Sequence, residues 1–417
     1  SSTKYLYKNV FDSTLCEEFK KISTSKDTNR NTDVGTVEKT SLYDFHVSHS
    51  GKIVNFGGFL LPVQYADFSI VQSHRHTRAH GSLFDVSHML QTVIRGKDSV
   101  ECFESICTAD VGALPENSGS LTVFTNEKGH ILDDLIVTKI SNDLLYVVSN
   151  AGMKIQDIEI MQAAVRFNFL HSGKDVHAEF LTPSKRALLA LQGPEVVRAL
   201  QELTKIDLSK LFFMMTTTGE VAGVKNCRIT RCGYTGEDGF EISIPAEKAT
   251  EIAEILLNSK VASIKLAGLG ARDSLRLEAG LCLYGADIDN TTSPIEAGLA
   301  WLVAKRRRIE ENYPGAKIIN EQLKNGVEKR RVGFLSTSGG PPARSGVSIF
   351  LNSNEIGKIT SGCPGPSLGK NIAMGYVKEE FKKIGTAVQL KIRNKFYEAN
   401  ISKMPFVKSN YFVRPKN

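Results

Sequence analysis

An α+β fold is what this sequence predicts, and three observations carry the prediction. Short apolar runs with strand-like patterning recur from about residue 41 to residue 315. Helical stretches fall between them, but not in the regular strand–helix–strand order of a doubly wound parallel sheet. Beyond residue 315 Gly, Pro and closely spaced short strands take over, which suits an antiparallel β-barrel domain at 316–417.

In chain order, residues 1–40 come first; they are rich in Ser, Thr, Lys, Asn and Asp without periodicity and read as an N-terminal tail, disordered rather than folded. The acids Asp12, Glu17, Glu18 and Asp27 set this segment apart from an acid-poor mitochondrial presequence, so it does not reveal a compartment. Strands are predicted at 52–56, 119–125, 131–140, 144–149, 188–191, 227–231 and 240–244. Helices are predicted at 155–167 and 246–258; in the second, Ile252, Ile255 and Leu256 recur at helical spacing with Glu and Lys opposite. The barrel strands are placed at 331–335, 346–351, 355–360, 373–377 and 387–392.

Composition bounds the function. The 417 residues are 41% hydrophobic and 23% charged, ordinary for a water-soluble globular chain with room for two to four domains. No apolar run approaches the ~20 residues a transmembrane helix needs, so no membrane role is expected. Net charge is +7, with its densest sources at Lys305–Arg308 and Lys329–Arg331. A modest positive excess favours an acidic partner, and the Lys305–Arg308 run reads as a solvated face for electrostatic docking. Nucleic acid is not expected as a partner: it would need a wider basic stripe and stacking aromatics, and only Trp301 lies near. Seven scattered cysteines without a C-x-x-C pair argue for a reducing compartment and against a zinc site. The two Cys-x4-Cys pairs, 102/107 and 227/232, read as core.

Four stretches could carry chemistry. Ile131-Leu-Asp-Asp-Leu-Ile-Val137 puts two adjacent carboxylates in an apolar strand, where successive side chains face opposite ways. Asp133 shares a face with Ile131, Leu135 and Val137, and Asp134 with Leu132 and Ile136, so at least one acid sits beside apolar groups. That placement raises a carboxyl pKa and marks a site; the plainer alternative is a strand passing from core to surface. Arg231-Cys-Gly-Tyr-Thr-Gly-Glu-Asp-Gly-Phe-Glu-Ile-Ser-Ile244 is a glycine-rich turn joining two strands, without the Lys-Ser/Thr ending of a phosphate loop. Glu241 beyond it either faces solvent or lines a pocket, where a carboxylate can accept two N–H bonds from an amidine-like heterocycle edge. Arg272 and Arg276 lie one helical turn apart, to bind carboxylates or to pair with Asp273 and Glu278. Asp85-Val-Ser-His88 offers His88 as a structural residue or a base. His74, His76 and His80 mimic a metal cluster, but only the last two could share a helix face, so no metal is assigned.

Together these stretches strongly resemble the folate-dependent aminomethyltransferases, the T-proteins of the glycine cleavage system. The likeness runs from Leu42-Tyr-Asp-Phe-His46 through Leu83-Phe-Asp-Val-Ser-His-Met89, the 131–137 stretch, Val147-Val-Ser-Asn-Ala-Gly152 and Leu191-Gln-Gly-Pro194. It continues through Arg231–Gly239, Ala271–Leu281, Thr360-Ser-Gly-Cys-Pro364 and Lys403-Met-Pro-Phe-Val407 to Tyr411. The resemblance implies a three-domain cloverleaf around a central folate cavity, with two intertwined α+β folate-binding domains over 41–315 and the barrel as third leaf. It implies ammonia release from an aminomethyl group on the dihydrolipoyl arm of the H-protein, and transfer of the one-carbon unit to tetrahydrofolate as co-substrate, giving 5,10-methylenetetrahydrofolate. By position it makes Asp134 the catalytic aspartate, Asp133 its structural partner and Glu241 the pterin-binding glutamate. Arg272 and Tyr411 match further ligand-binding positions, and Met89 and Asn150 match residues lining the cavity. Arg331 matches a family arginine. Phe59 stands where relatives often carry Trp. In a eukaryote the resemblance implies the mitochondrial matrix.

Three other assignments fit the sequence less well. A folate-binding relative in iron–sulfur cluster maturation or tRNA modification would carry a Lys-Gly-Cys-x-x-Gly-Gln-Glu signature, where this chain has Cys232-Gly-Tyr-Thr-Gly-Glu-Asp-Gly239. A flavin-fused sarcosine or dimethylglycine dehydrogenase would need a dinucleotide fingerprint that is absent. A basic adaptor for acidic protein or RNA would have no need of a dry pterin pocket.

Overall fold

The computed structural model describes residues 37–415. Most of the tail expected over 1–40, together with Cys16, lies outside the described residues.

The strand Arg186–Gln192, apolar from Ala187 to Leu191, has six of its seven residues buried because it becomes a central strand covered on both faces. It belongs to a six-stranded sheet ordered Thr216–Val221, Val224–Thr230, Gly239–Pro245, Arg186–Gln192, Gly81–Asp85, Ile264–Leu266. All neighbours are antiparallel except the last pair. A second sheet, fully antiparallel, runs Ser118–Thr125, Ile131–Ser141, Leu144–Ser149, Leu90–Arg95, His177–Leu181. The chain leaves the first sheet after Asp85, builds the second over residues 90–181, and returns at Arg186. A small sheet of Glu38–Lys39, Phe59–Tyr65 and Gly51–Phe56 flanks them.

Alternation within the strands decides which face each sheet turns to which layer. Leu189, Leu191, Phe240 and Ile242 pack outward with Ile252 and Leu256 of the Ala249–Leu257 helix. Leu135, Val137 and Val147 pack outward with Phe103, Ile160 and Met161 from the Ser99–Glu104 and Lys154–Ser172 helices. The inner faces meet each other: Phe84, Leu188 and Ala190 of one sheet touch Tyr146 and Val148 of the other, with Ala271 and Leu275 of the Leu269–Glu278 helix. A polar group on an inner face therefore lands between the sheets.

Lys329–Ser336, Lys370–Lys378, Asn354–Gly365, Ser348–Leu351, Ala387–Ile392 and Lys395–Ser402 close, in that order, into an antiparallel barrel. Lys395–Ser402 carries no prediction above because only Ala399 and Ile401 are buried along it, which leaves little apolar signal. The barrel docks onto the Leu269–Glu278 helix through Leu277, Cys363, Ile372 and Met374.

The basic runs are not the solvated faces that their composition suggests. Arg306 pairs with Glu104 at 2.5 Å and with Asp110 and Glu310 at 2.7 Å. Arg307 is fully buried and donates to Asn312 and to the Glu104 carbonyl, while Arg308 donates to the Val303 and Ala300 carbonyls at 2.8 and 2.9 Å. Only Lys305 of the four projects freely. Arg330 pairs with Glu379, and Arg331 is buried against the Ala297 carbonyl at 2.8 Å and the Met374 sulfur at 3.0 Å. The local sequence carries the charges; acids from distant segments draw them inward.

Candidate functional site

Strand alternation sorts the two adjacent acids. Asp133 falls on the helix-covered face with Leu135 and Val137 and is 0% exposed, whereas Asp134 shares the inner face with Ile136 and Thr138 and is half-buried. Asn150, just past the Leu144–Ser149 strand, fastens both. Its backbone N–H donates to Asp133 Oδ2 at 3.1 Å, and its Nδ2 donates to Asp133 Oδ1 at 2.8 Å and Asp134 Oδ1 at 3.0 Å. The same Nδ2 reaches the Asp134 carbonyl at 2.9 Å. Burial pushes the Asp134 carboxyl up to about 6; the Asn150 bond opposes this and Asp287 adds to it. Asp133 is held well above the usual carboxyl range by burial and then by Asp157.

Beside Asp134 on the inner face, Ile136, Thr138, Tyr146 and Val148 line a pocket, closed from the other sheet by Leu188, Arg228, Thr230, Cys232, Glu241 and Ser243. Phe240, Ile242 and Ile244 of the Gly239–Pro245 strand are core, so alternation sends Glu241 into this pocket and not into solvent. Burial raises the Glu241 pKa, with Arg272 and the Cys232 S–H opposing. Arg272 makes no side-chain hydrogen bond or ion pair with any described residue. Its guanidinium lies 4.7 Å from the ring centre of Tyr234, facing the site as a free donor. Tyr234 donates to the Cys282 carbonyl, and its phenol is raised by burial, opposed by Arg276 and Arg272 and reinforced by Asp134. The Asp134 and Glu241 ends are thus linked through Tyr234 and Arg272.

The other predicted residues fall as follows. Tyr411 stacks on Phe213 at 4.2 Å, on a segment returning from the barrel. That segment is held by Asn410 donating to the Gly236 carbonyl and Glu237, and by the Phe213 N–H donating to the Phe412 carbonyl. Met89 packs against the inner-face cluster containing Tyr146, Val148 and Leu188. Arg276, one turn from Arg272, is instead committed to Asp273 at 2.9 Å and Asp287 at 2.6 Å. His88 is buried between Phe56 and Phe59 and driven down to about 4 by burial and by Arg272, so its imidazole is neutral. Phe59, at the position where relatives often carry Trp, is core at 1% exposure. His76 and His80 do meet, with ring centres 4.9 Å apart, while His74 turns inward to Glu278 and Ser274. Among the described residues no group of three His, Cys, Asp or Glu is arranged to hold a metal ion.

Three residues escaped the sequence reading. Arg228 lines the pocket with its guanidinium 4.9 Å from the Tyr146 ring centre and makes no side-chain hydrogen bond or ion pair with a described residue. In the sequence Tyr234 reads only as part of the glycine-rich turn. Asp157, on the Lys154–Ser172 helix, is 0% exposed behind Asp133, yet its neighbourhood in sequence looks like any amphipathic helix.

The donor set suits a flat heterocycle with a two-donor edge. Glu241 supplies a sheltered acceptor, Arg272 and Arg228 supply cationic donors, and Asp134 titrates close to neutrality, where a carboxyl can both take and return a proton.

Residues 42–307 match a family model described as the GCVT N-terminal domain, and residues 329–408 match the glycine cleavage T-protein C-terminal barrel domain. The chain is 53% identical over 378 residues to a Homo sapiens protein named mitochondrial aminomethyltransferase, covering 90% of this chain and 92% of that one. A Pisum sativum protein of the same name is 50% identical over 377 residues, covering 90% and 91%. The crystal structure of the glycine cleavage system aminomethyltransferase T from Bartonella henselae superposes with a TM-score of 0.83 at 36% identity, covering 90% of this chain and all of that one.

Proposed function

The chain belongs to the glycine cleavage T-protein family, and on that premise we propose how its residues carry out the aminomethyltransferase reaction of the glycine cleavage system. Its relatives from human and pea are named mitochondrial, and mitochondrial is the localisation adopted for this chain. The H-protein presents an aminomethyl group on its dihydrolipoyl arm; ammonia leaves, and the one-carbon unit passes to tetrahydrofolate, whose N5 and N10 nitrogens supply the nucleophiles. Glu241 accepts the two N–H groups of the pterin edge, and Arg272 and Tyr411 hold the remainder, with Met89 and Asn150 completing the cavity wall. Asp134, ionised above pH about 6, takes up the proton given up at the attacking nitrogen and stabilises positive charge developing on the transferred carbon. Asp133 and Asn150 hold that carboxylate in place.

The observation that supports this reading is placement: Asp134 and Glu241 project from the inner faces of two packed sheets, Glu241 lines the pocket between the sheets, and Arg272 acts on Glu241 while lying against Tyr234, which feels the Asp134 charge. The test is ammonia release from aminomethylated H-protein by the purified chain, with and without tetrahydrofolate. Release that accelerates with tetrahydrofolate and yields methylenetetrahydrofolate supports the reading; release that ignores tetrahydrofolate overturns it.

A further inference from the structure

The glycine-rich turn between the Val224–Thr230 and Gly239–Pro245 strands carries two acids, Glu237 and Asp238, that the proposed mechanism does not use. Both act on the C-terminal segment that carries Tyr411, one on each side of that residue. On the near side, Asn410 donates its backbone N–H to the Gly236 carbonyl at 2.8 Å and its Nδ2 to Glu237 Oε2 at 2.9 Å. On the far side, the Arg231 guanidinium stands 4.0 Å from the Phe412 ring centre, and Arg231 Nε donates to Asp238 Oδ1 at 2.8 Å. Residues 403–415 belong to no helix or strand, so contacts of this kind, and not a ladder, fix where Tyr411 stands.

Glu237 can fix its neighbour because it is itself fixed. Its side chain is 3% exposed, and its other oxygen accepts from Arg78 Nη1 at 2.9 Å. Arg78, on the Ile70–Ala79 helix, also donates to the Thr235 carbonyl at 2.6 Å and pairs with Glu278 at 3.1 Å. The charge-assisted bond from Arg78 leaves Glu237 Oε2 aimed at Asn410. The Tyr411 phenol lies near the same groups. Burial raises it, Ser409 and Arg78 oppose, and Glu237 and Cys232 add, the last of these lining the pocket. We propose that Glu237 is a positioning residue for the reaction, which holds Asn410 so that Tyr411 stands against bound tetrahydrofolate. This rests on the reading of Tyr411 as a folate-holding residue above. Asn410 is exposed, and its main-chain bond to Gly236 needs no side chain. Loss of Nδ2 therefore uncouples Tyr411 from Glu237 while the segment stays attached.

A double-mutant cycle on the full chain tests this, read as the dissociation constant for tetrahydrofolate and as kcat. Asn410→Ala removes the donor to Glu237 and is expected to weaken tetrahydrofolate binding about five- to tenfold, the scale of one hydrogen bond to a charged group. Turnover at saturating tetrahydrofolate should stay within about twofold, because Asp134 is untouched. In a Tyr411→Ala background the same change should cause no further loss of affinity. Glu237→Ala should match Asn410→Ala; should it fail to fold, the Asn410→Ala cycle decides alone. Wild-type affinity in Asn410→Ala, or an equal loss in the Tyr411→Ala background, would overturn the inference and leave Tyr411 its role. Wild-type affinity in Tyr411→Ala would instead overturn the reading of Tyr411 and, with it, the positioning role.

Discussion

Asp134 combines two properties that usually oppose each other, a half-buried setting and an ionised working state. Its pKa in the fold is raised from 3.8 to about 6, so the folded chain holds this proton more tightly than the unfolded chain. The contribution to stability is then fully present below pH about 4 and is lost as pH rises through 6. At neutral pH the residue costs stability in return for function. Asp134→Asn is expected to cut turnover by about 10²–10⁴-fold while leaving folate affinity within a few-fold. It should also remove the acid limb near pH 6 from the pH–rate profile. The same variant should melt higher than wild type at pH 8, with the advantage shrinking by pH 4.5. Equal melting temperatures at pH 8 would count against the raised pKa. Strand alternation in the sequence separates Asp133 from Asp134, but it cannot say which face is wet. For Glu241 the pattern alone favours solvent, and only the packing of a second sheet against that face brings the residue indoors.

At the scale of elements, the Lys305–Glu310 helix marks the limit of local reading. Four consecutive cations look like a docking surface, yet three are bound internally by Glu104, Asp110, Glu310 and backbone carbonyls. Arg307→Leu should therefore act on stability, costing about 3–5 kcal/mol by leaving buried acceptors without their cation. It should not act on encounter with the H-protein. Urea denaturation alongside the salt dependence of KM for the H-protein separates the two, and a rise in KM without loss of stability would restore the docking role. Elements with strong apolar runs, such as Leu144–Ser149 and Ala387–Ile392, lie where the sequence places them. The Phe59–Tyr65 and Thr216–Val221 strands went unpredicted because Pro62, Gln64, Gly219 and Glu220 interrupt their patterns.

Over the whole molecule, the Leu269–Glu278 helix is where separate layers are joined. Glu278 is fully buried and accepts from His74 at 3.0 Å, Arg78 at 3.1 Å, and the Ser367 N–H and hydroxyl at 2.9 and 2.7 Å. These partners come from the Ile70–Ala79 helix and from the barrel. Burial alone would raise this carboxyl; the bonds from His74 and Ser367 outweigh it and hold the pKa at about 2, against 4.5 unperturbed. Here the sign is reversed: stability is present above pH 4.5 and is lost as pH falls toward 2. Glu278→Gln should lower the melting temperature at pH 7, and the deficit should narrow as pH falls below 4.5. A deficit independent of pH across that window would assign Glu278 a packing role only.

The sequence by itself determined the fold class, the barrel at the C-terminal end, the order of the strong strands and, through ordered motifs, the family and its reaction. The fold class, the barrel and the strand order are properties of periodicity and residue type, which local chemistry dictates, whereas the family and its reaction came from the resemblance of the ordered motifs. Only the tertiary structure decided which face of each strand is enclosed, that Asp134 and Glu241 come to the inner faces of two packed sheets, that Asp157 is buried on the other side near Asp133, and that most of the arginines in the basic runs are bound by acids and carbonyls from elsewhere in the fold. Those facts depend on residues tens to hundreds of positions apart meeting across packed layers, and no pattern confined to a short window carries that information.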